Sequence, residues 1–400
     1  MNKVLLCLLK AFLILPVLFL MLLNAKVYYS PPCQIASDKT CNSATIAQLE
    51  YLGEQLAGGA AEEMQVIYPE GAIFCYALHG LAWADVLSQA SQTQEHFQIG
   101  SKALEHTLKF LLSEEAHQPF SVELPLPYGA FYQGWTSYLI GRTIELDAYS
   151  DNDSVYVRIF KAKCQLIAKT FTESNRPYLS SYSNGTWPAD NILCLAALAL
   201  HDQLFPPIYQ PVIGSWLAQI KAHLDPKTGL IPHEYIGGQA GGARGSSQSL
   251  MLNFLPLIDS SFARKQFDLY RAHFLSYRFG LLGVREYPKG TNGPGDIDAG
   301  PILLGIGGAA SVVGARAMLL NGDCRKHIAI RNSIEGFGIP FRWSGKKKYL
   351  GGYLAIADAF IAWSNARSCE CTDTRIAVPW SFHLYSLLLI FSLSWLAYKI

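Results

Sequence analysis

Between about Ser43 and Asn365 apolar residues return at three- and four-residue intervals, in blocks separated by loops rich in Gly, Pro, Asn and Asp. That spacing lines one face of a helix, so each block predicts a helix. The blocks are Ala72–Leu87, Ile99–Leu112, Ala130–Asp147, Val155–Thr172, Asn191–Leu204, Pro211–His223, Ser247–Leu257 and Pro301–Leu320. Start signals accompany several of them. Asp151 or Asp153 precedes the Val155 block, Asp190 precedes the next, and Pro301 opens the last, each suited to a first helical turn. Strand patterning is sparse and is best at Phe279–Tyr287. Hairpins of helices recurring roughly every 50 residues, with no break in composition, predict one all-α domain that closes on itself as a toroid.

The two ends follow a different pattern. Val4–Leu23 is almost wholly apolar, interrupted by Lys10 and Pro16, with Lys3 before it and Asn24-Ala25-Lys26 after it. This suits an uncleaved membrane anchor or a secretory signal cut near Ala25. Val378–Ala397 carries no formal charge and has Trp380, Tyr385, Trp395 and Tyr398 toward its ends, where aromatic rings favour the headgroup region. Lys3, Lys10 and Lys399 place both termini on the cytoplasmic side by the positive-inside rule, leaving the middle region extracytoplasmic. The expected organisation is an anchor or signal segment at 1–27, a linker at 28–45, the helical domain at 46–368, a linker at 369–377 and a transmembrane helix at 378–398.

Composition narrows the classes. There are 32 Lys+Arg against 31 Asp+Glu, and charged residues make up 16% of the 400. Near-neutrality without a basic stripe argues against nucleic-acid binding. A hydrophobic share of 50% excludes a mainly disordered chain. Cys33, Cys41, Cys369 and Cys371 flank the domain beside the membrane segments and could pair in an oxidising compartment. Cys75, Cys164 and Cys194 sit in apolar helical blocks and read as core. With no CxxC and no Cys/His cluster at zinc spacing, neither a metal nor another cofactor is expected.

The loops carry the candidate chemistry. Tyr182 to Asn191 contains Trp187, Asp190 and Asn191 just ahead of a helix, so Asp190 can serve a pocket or cap the helix. Asp225-Pro226-x-x-Gly229 is a turn signature, which makes Asp225 structural. His233, Glu234 and Tyr235 lie just beyond that turn and could line a cleft. Gly237–Ser247 is glycine-rich without the spacing of a phosphate loop, and reads as a flexible pocket mouth with Arg244 and Ser247 as substrate contacts. The strongest segment runs from Arg285-Glu286 to Asp296-Ile297-Asp298. Carboxylates crowded in a poorly hydrated cleft raise one another's pKa, which keeps one protonated and able to donate to a leaving oxygen. The structural alternative is a helix cap with Glu286 paired to Arg285 or Arg244.

In order and spacing these motifs resemble the linalool dehydratase/isomerase group. The resemblance runs from Tyr68-Pro69-Glu70 through Pro188-Ala189-Asp190-Asn191, Asp225-Pro226-x-x-Gly229 with Tyr235, and Ser247-x-Ser249. It continues through Leu257 to Ala263, Arg285-Glu286, Asp296-x-Asp298-x-Gly300 and Asn321-Gly322-Asp323. It implies an (α/α)6 barrel that protonates and removes a hydroxyl by acid/base residues. The expected reading is a membrane-anchored, extracytoplasmic enzyme cleaving a C–O bond of an isoprenoid-like alcohol. Asp298 or Asp296 would be the acid, and Asp190 or Glu286 the base or cation stabiliser. Tyr128, Tyr132, Trp135, Tyr182 and Trp187 suit a glycan equally well, so a glycoside hydrolase or glycan lyase is the alternative. A non-catalytic envelope scaffold is the alternative outside enzymes. The expected partners are the lipid bilayer and a small-molecule or glycan substrate.

Overall fold

The computed structural model describes residues 3–27, 42–67, 69–89, 93–146, 151, 154–183, 185–296, 299–367 and 378–400. Tyr68, Asn152, Asp153, Asn184, Asp298, Cys33, Cys41, Cys369 and Cys371, on which expectations fell, lie outside these residues. The described chain is mostly helical: α1 (Lys3–Lys26), α2 (Asn42–Ala57), α3 (Ala60–Ile67), α4 (Gly71–Leu87), α5 (Gln94–Leu111), α6 (Glu114–His117), α7 (Gly129–Ile144), α8 (Val155–Glu173), α9 (Pro188–Leu204) and α10 (Gln210–Lys221). After hairpin β1–β2 (Tyr235–Ile236, Gln239–Ala240) come α11 (Gly245–Met251), α12 (Leu255–Ile258) and α13 (Ser260–Phe274). Hairpins β3–β4 (Leu275–Arg278, Leu281–Val284) and β5–β6 (Ile302–Leu303, Ile306–Gly307) lead to α14 (Gly308–Leu320) and α15 (Cys324–Phe337). Hairpin β7–β8 (Phe341–Trp343, Lys346–Lys348), α16 (Ala355–Ala366) and α17 (Trp380–Lys399) complete the chain. Each pair of strands is antiparallel and stands alone.

Two kinds of helix alternate. α4, α7 and α9 are buried around nearly their whole circumference, whereas α5, α8 and α13 bury one face. A helix apolar all round must be enclosed by others, and an amphipathic one lies outside them. The enclosed helices follow one another as neighbours: α4 packs on α7, α7 on α9, α9 on α11, α11 on α14, α14 on α16, and α16 returns to α4. The amphipathic helices back them, with α5 on α4, α8 on α7 and α9, α15 on α14, and α2 on α16. Rings from successive helices fill the centre. Trp135 sits 5.3 Å from Phe74, 6.2 Å from Phe254 and 6.4 Å from Trp363.

Some local expectations shift. The segment from Pro301 does not start a helix; β5–β6 intervenes and α14 begins at Gly308, because Gly305 (φ 82°) and Leu304 (φ 52°) make a turn. The strand expected over Phe279–Tyr287 is a hairpin turning at Phe279 (φ 50°) and Gly280 (φ 87°). The glycine-rich loop is partly the tight hairpin β1–β2, with Gly237 and Gly238 at positive φ. Ser154 caps α8, its hydroxyl accepting from the Tyr156 amide. Asp225 is structural as expected: its carboxylate accepts from the Lys227 amide at 3.1 Å and the Thr228 hydroxyl at 2.5 Å.

α1 and α17 are each long and apolar enough to cross a membrane, and they pack on one another. His383 Nδ1 lies 2.8 Å from Asn24 Oδ1 across the pair. A polar contact of this kind joins apolar helices where water is scarce. Phe19 and Leu23 of α1 meet Phe337 and Gly336 of α15, and Tyr385 of α17 meets Phe279 of the β3–β4 turn. Cys75, Cys164 and Cys194 are buried free thiols. Cys324 is disulfide-bonded.

Candidate active site

The loops that precede the enclosed helices are stitched together by backbone hydrogen bonds, and so form one end of the ring. The Ala130 amide donates to the Ser180 carbonyl, that of Tyr235 to Thr186, that of Gly245 to Glu286, and that of Glu286 to Gly305. Two glycines permit this closeness. A Cβ at Gly129 (φ 78°) would run into the Ser181 carbonyl oxygen, and one at Gly245 into the Arg285 carbonyl oxygen. Tyr128, just before α7, is itself left-handed (φ 67°), a strained conformation for a bulky side chain.

Gly245 brings the start of α11 against Glu286. The Glu286 side chain is fully buried, and its Oε1 accepts from Arg244 Nε at 2.9 Å and Ser246 Oγ at 2.8 Å. Arg244 Nη1 pairs with Asp296. One guanidinium thus bridges two carboxylates. Arg244 Nη2 is buried with no hydrogen-bond partner, a donor whose desolvation nothing in the chain offsets. His233 Nδ1 lies 2.5 Å from Ser247 Oγ on the first turn of α11.

The two acids are driven apart. Burial, with a smaller contribution from the charge of Asp296, raises Glu286 above the ordinary glutamate value, and the bonds from Ser246 and Arg244 only partly offset it. Burial also acts upward on Asp296. There, hydrogen bonds from Arg244 and the Ala299 amide, with the Arg244 charge, outweigh it and hold the group low. His233 is pushed down to about 4 by burial and by Arg244, so it is neutral at pH 7. A raised acid, an ionised carboxylate and a neutral imidazole together are the parts of an acid/base site.

Asp190 has a different setting. It does not cap α9: Trp187 is the cap residue and makes no side-chain cap bond, while Asp190 lies buried in the first turn. Its charge acts on the Cys194 thiol, which burial already raises. Lys163 of α8 also acts on Cys194, donates to Gln133 Oε1 at 2.9 Å and is lowered to about 8 by burial.

The expected substrate contacts divide. Tyr128 is half-buried and packs against His117 with ring centres 4.4 Å apart, and half-buried Tyr182 meets Trp187 edge-on at 5.2 Å. Tyr235, 5.4 Å from the Tyr178 ring, and Glu234, against Gly241, are also half-buried at this end. Asn191 is a correction. Its amide is spent on the Leu179 amide and carbonyl and the Trp187 carbonyl, which leaves it as a clamp for the loop rather than a ligand contact. Trp135 is a second correction, since it is fully enclosed in the central ring packing. Tyr132 is buried and anchored to the Leu111 carbonyl at 2.7 Å.

Compared with known proteins, the chain matches no family model and no curated protein. Among the described residues no group of His, Cys, Asp and Glu could hold a metal ion.

Sequence reading missed two groups. Asp85 is held by Arg316 at 2.6 Å, Arg142 at 3.1 Å and Arg367 at 3.4 Å, near the C-terminal ends of the enclosed helices. Asp358, in the first turn of α16, accepts from the Tyr349 amide at 3.0 Å and Gln48 at 3.2 Å and is raised to about 7 by burial. A lone charge inside an apolar block was the available signal in both cases.

Proposed function

We propose that the chain is a membrane-anchored enzyme that breaks or forms a C–O bond of an isoprenoid-like alcohol, on a closed (α/α)6 barrel like that of the linalool dehydratase/isomerase group. α1 and α17 span the bilayer, and the barrel lies on the extracytoplasmic side. The disulfide at Cys324 supports an oxidising compartment. The observation that carries the chemistry is one arginine bridging two carboxylates of opposite pKa shift, with a buried donor left over.

Glu286 is the acid. Its proton passes to the substrate hydroxyl, the C–O bond breaks, and water leaves. Asp296, ionised by Arg244, stabilises the carbocation-like centre. Neutral His233 or Asp296 takes a proton from the adjacent carbon, and the electron pair becomes the C=C bond. Water addition runs the same steps in reverse. The unused Arg244 Nη2 would hold a substrate oxygen. These roles differ from the sequence expectation, which gave the proton to Asp298 or Asp296. Burial decides it, because Glu286 is the more desolvated carboxyl.

The test is turnover by the full chain in lipid nanodiscs on a panel of isoprenoid alcohols and oligosaccharides. Glu286→Gln is expected to lower turnover by about 10²–10⁴-fold while the chain stays folded. Wild-type rates in both Glu286→Gln and Asp296→Asn would contradict the proposal. Turnover of oligosaccharides alone would favour the glycan reading, which the half-buried rings of Tyr128, Tyr182 and Trp187 support.

A further inference from the structure

On the other side of the chain from Glu286, Arg285 backs onto an open cleft of 650 Å³ between the β3–β4 and β5–β6 hairpins. Arg285 is 6% exposed. Its Nε donates to the Tyr287 carbonyl, and Nη2 donates to the Thr291 carbonyl and Asn292 Oδ1. Arg278 shares the cleft, held through Nε by the Leu304 carbonyl and through Nη1 by Ser276 and the Tyr277 carbonyl. Neither arginine has a carboxylate partner among the described residues. Arg285 Nη1 and Arg278 Nη2 carry no hydrogen bond there, and Gly305 leaves Nη1 uncovered: a Cβ at that position would sit 2.9 Å from it. The two guanidiniums also repel, which adds to burial in lowering Arg285. Like charges brought together without an acid favour an anion, and guanidiniums fit phosphate oxygens well.

The rim is apolar. Tyr277 is 56% exposed, as are Phe279 and Leu304. This rim continues into α17, where Phe279 and Tyr385 lie with ring centres 5.9 Å apart and Gly280 abuts Phe382. A cationic cleft with an exposed apolar lip, joined to a helix apolar enough to cross a bilayer, matches an amphiphile at the membrane surface.

We propose that this cleft binds the net-anionic phosphate headgroup of an acidic membrane lipid, with Arg278 and Arg285 on the phosphate and the lipid chain lying over Tyr277, Phe279 and Leu304 toward α17. The commitment to a lipid, as opposed to a soluble phosphate, rests on α17 lying in the bilayer. Because Glu286 is the next residue, the loop end carrying the proposed catalytic cluster then faces the membrane, and an isoprenoid substrate reaches it from there.

The experiment uses the full chain in phosphatidylcholine nanodiscs containing a minor fraction of phosphatidic acid. Retained lipid is identified by mass spectrometry after transfer to detergent. Wild type is expected to retain phosphatidic acid over phosphatidylcholine by roughly tenfold. Arg278→Gln and Leu304→Asp should each bring retention near parity without moving the melting temperature, and millimolar inorganic phosphate should not displace the lipid. Parity in wild type, or a preference that survives both variants, would overturn the site. Full displacement by inorganic phosphate would overturn the lipid commitment. Retention is read without turnover, so this proposal can fail while the acid/base reading stands, and the reverse.

Discussion

The two ends of the helical ring use the same residue types to opposite effect. At one end Asp85 is surrounded by Arg142, Arg316 and Arg367, and despite complete burial its carboxyl is held below the ordinary aspartate value. At the other end Glu286 shares a single arginine with Asp296, and its carboxyl is raised. Desolvation pushes both acids upward, so the balance of arginines to carboxylates decides the sign. Three cations around Asp85, one of them shared with Glu145, make a fixed tie between α4, α7, α14 and the end of α16. One cation on two acids leaves the buried Glu286 carboxyl raised and a guanidinium nitrogen without a partner. Under the proposed function, the difference separates a structural use of charge from a chemical one within a single fold.

Breaking the structural end should give the largest effect. Asp85→Asn leaves Arg316 and Arg367 facing no carboxylate and Arg142 with Glu145 alone, and should cost about 3–5 kcal/mol, read as a shift in the denaturation midpoint. Glu286→Gln should cost far less stability while it removes turnover. Equal stability losses in the two variants would erase the contrast. The Asp85 contribution also has a fixed pH dependence. Its folded pKa lies below the unfolded value near 3.8, so the stabilisation is full above that value and is lost as pH falls through the lower, folded pKa.

A smaller effect sharpens the comparison at the loop end. His233 titrates near 6.5 when unfolded and near 4 when folded, so between those values the unfolded chain binds the extra proton. Folding stability should therefore fall as pH drops from about 6.5 to about 4, by roughly 3 kcal/mol for this group. His233→Gln should flatten that part of the pH–stability curve. A variant curve parallel to wild type across the window would show that the imidazole is not held neutral.

The helices were legible from the chain because enclosed helices are apolar blocks ended by Gly, Pro and Asp. α9 and α10, for instance, run close to the expected boundaries. The beginning of α14 was not legible, since Pro301 is as good a hairpin residue as a helix start. Arg244, Glu286 and Asp296 stood out as polar groups in glycine-rich loops. Their pairing depended on Gly245 admitting the Arg285 carbonyl, a close approach that no local pattern displays. Asn191 looked like a ligand contact because its residue type cannot reveal that Leu179 and Trp187 occupy its amide. The Asp85 tie was invisible for a related reason: Asp85 and Arg316 are 231 residues apart, each a single charge in an apolar helix.

The most direct measurement is an infrared pH titration of the carboxyl groups in the full chain, with the Glu286 band assigned by its loss in Glu286→Gln and the Asp85 band by its loss in Asp85→Asn. The account expects Glu286 to deprotonate above the ordinary 4.5 and Asp85 below 3.8. A Glu286 midpoint at or below 4.5, alongside that of Asp85, would contradict it.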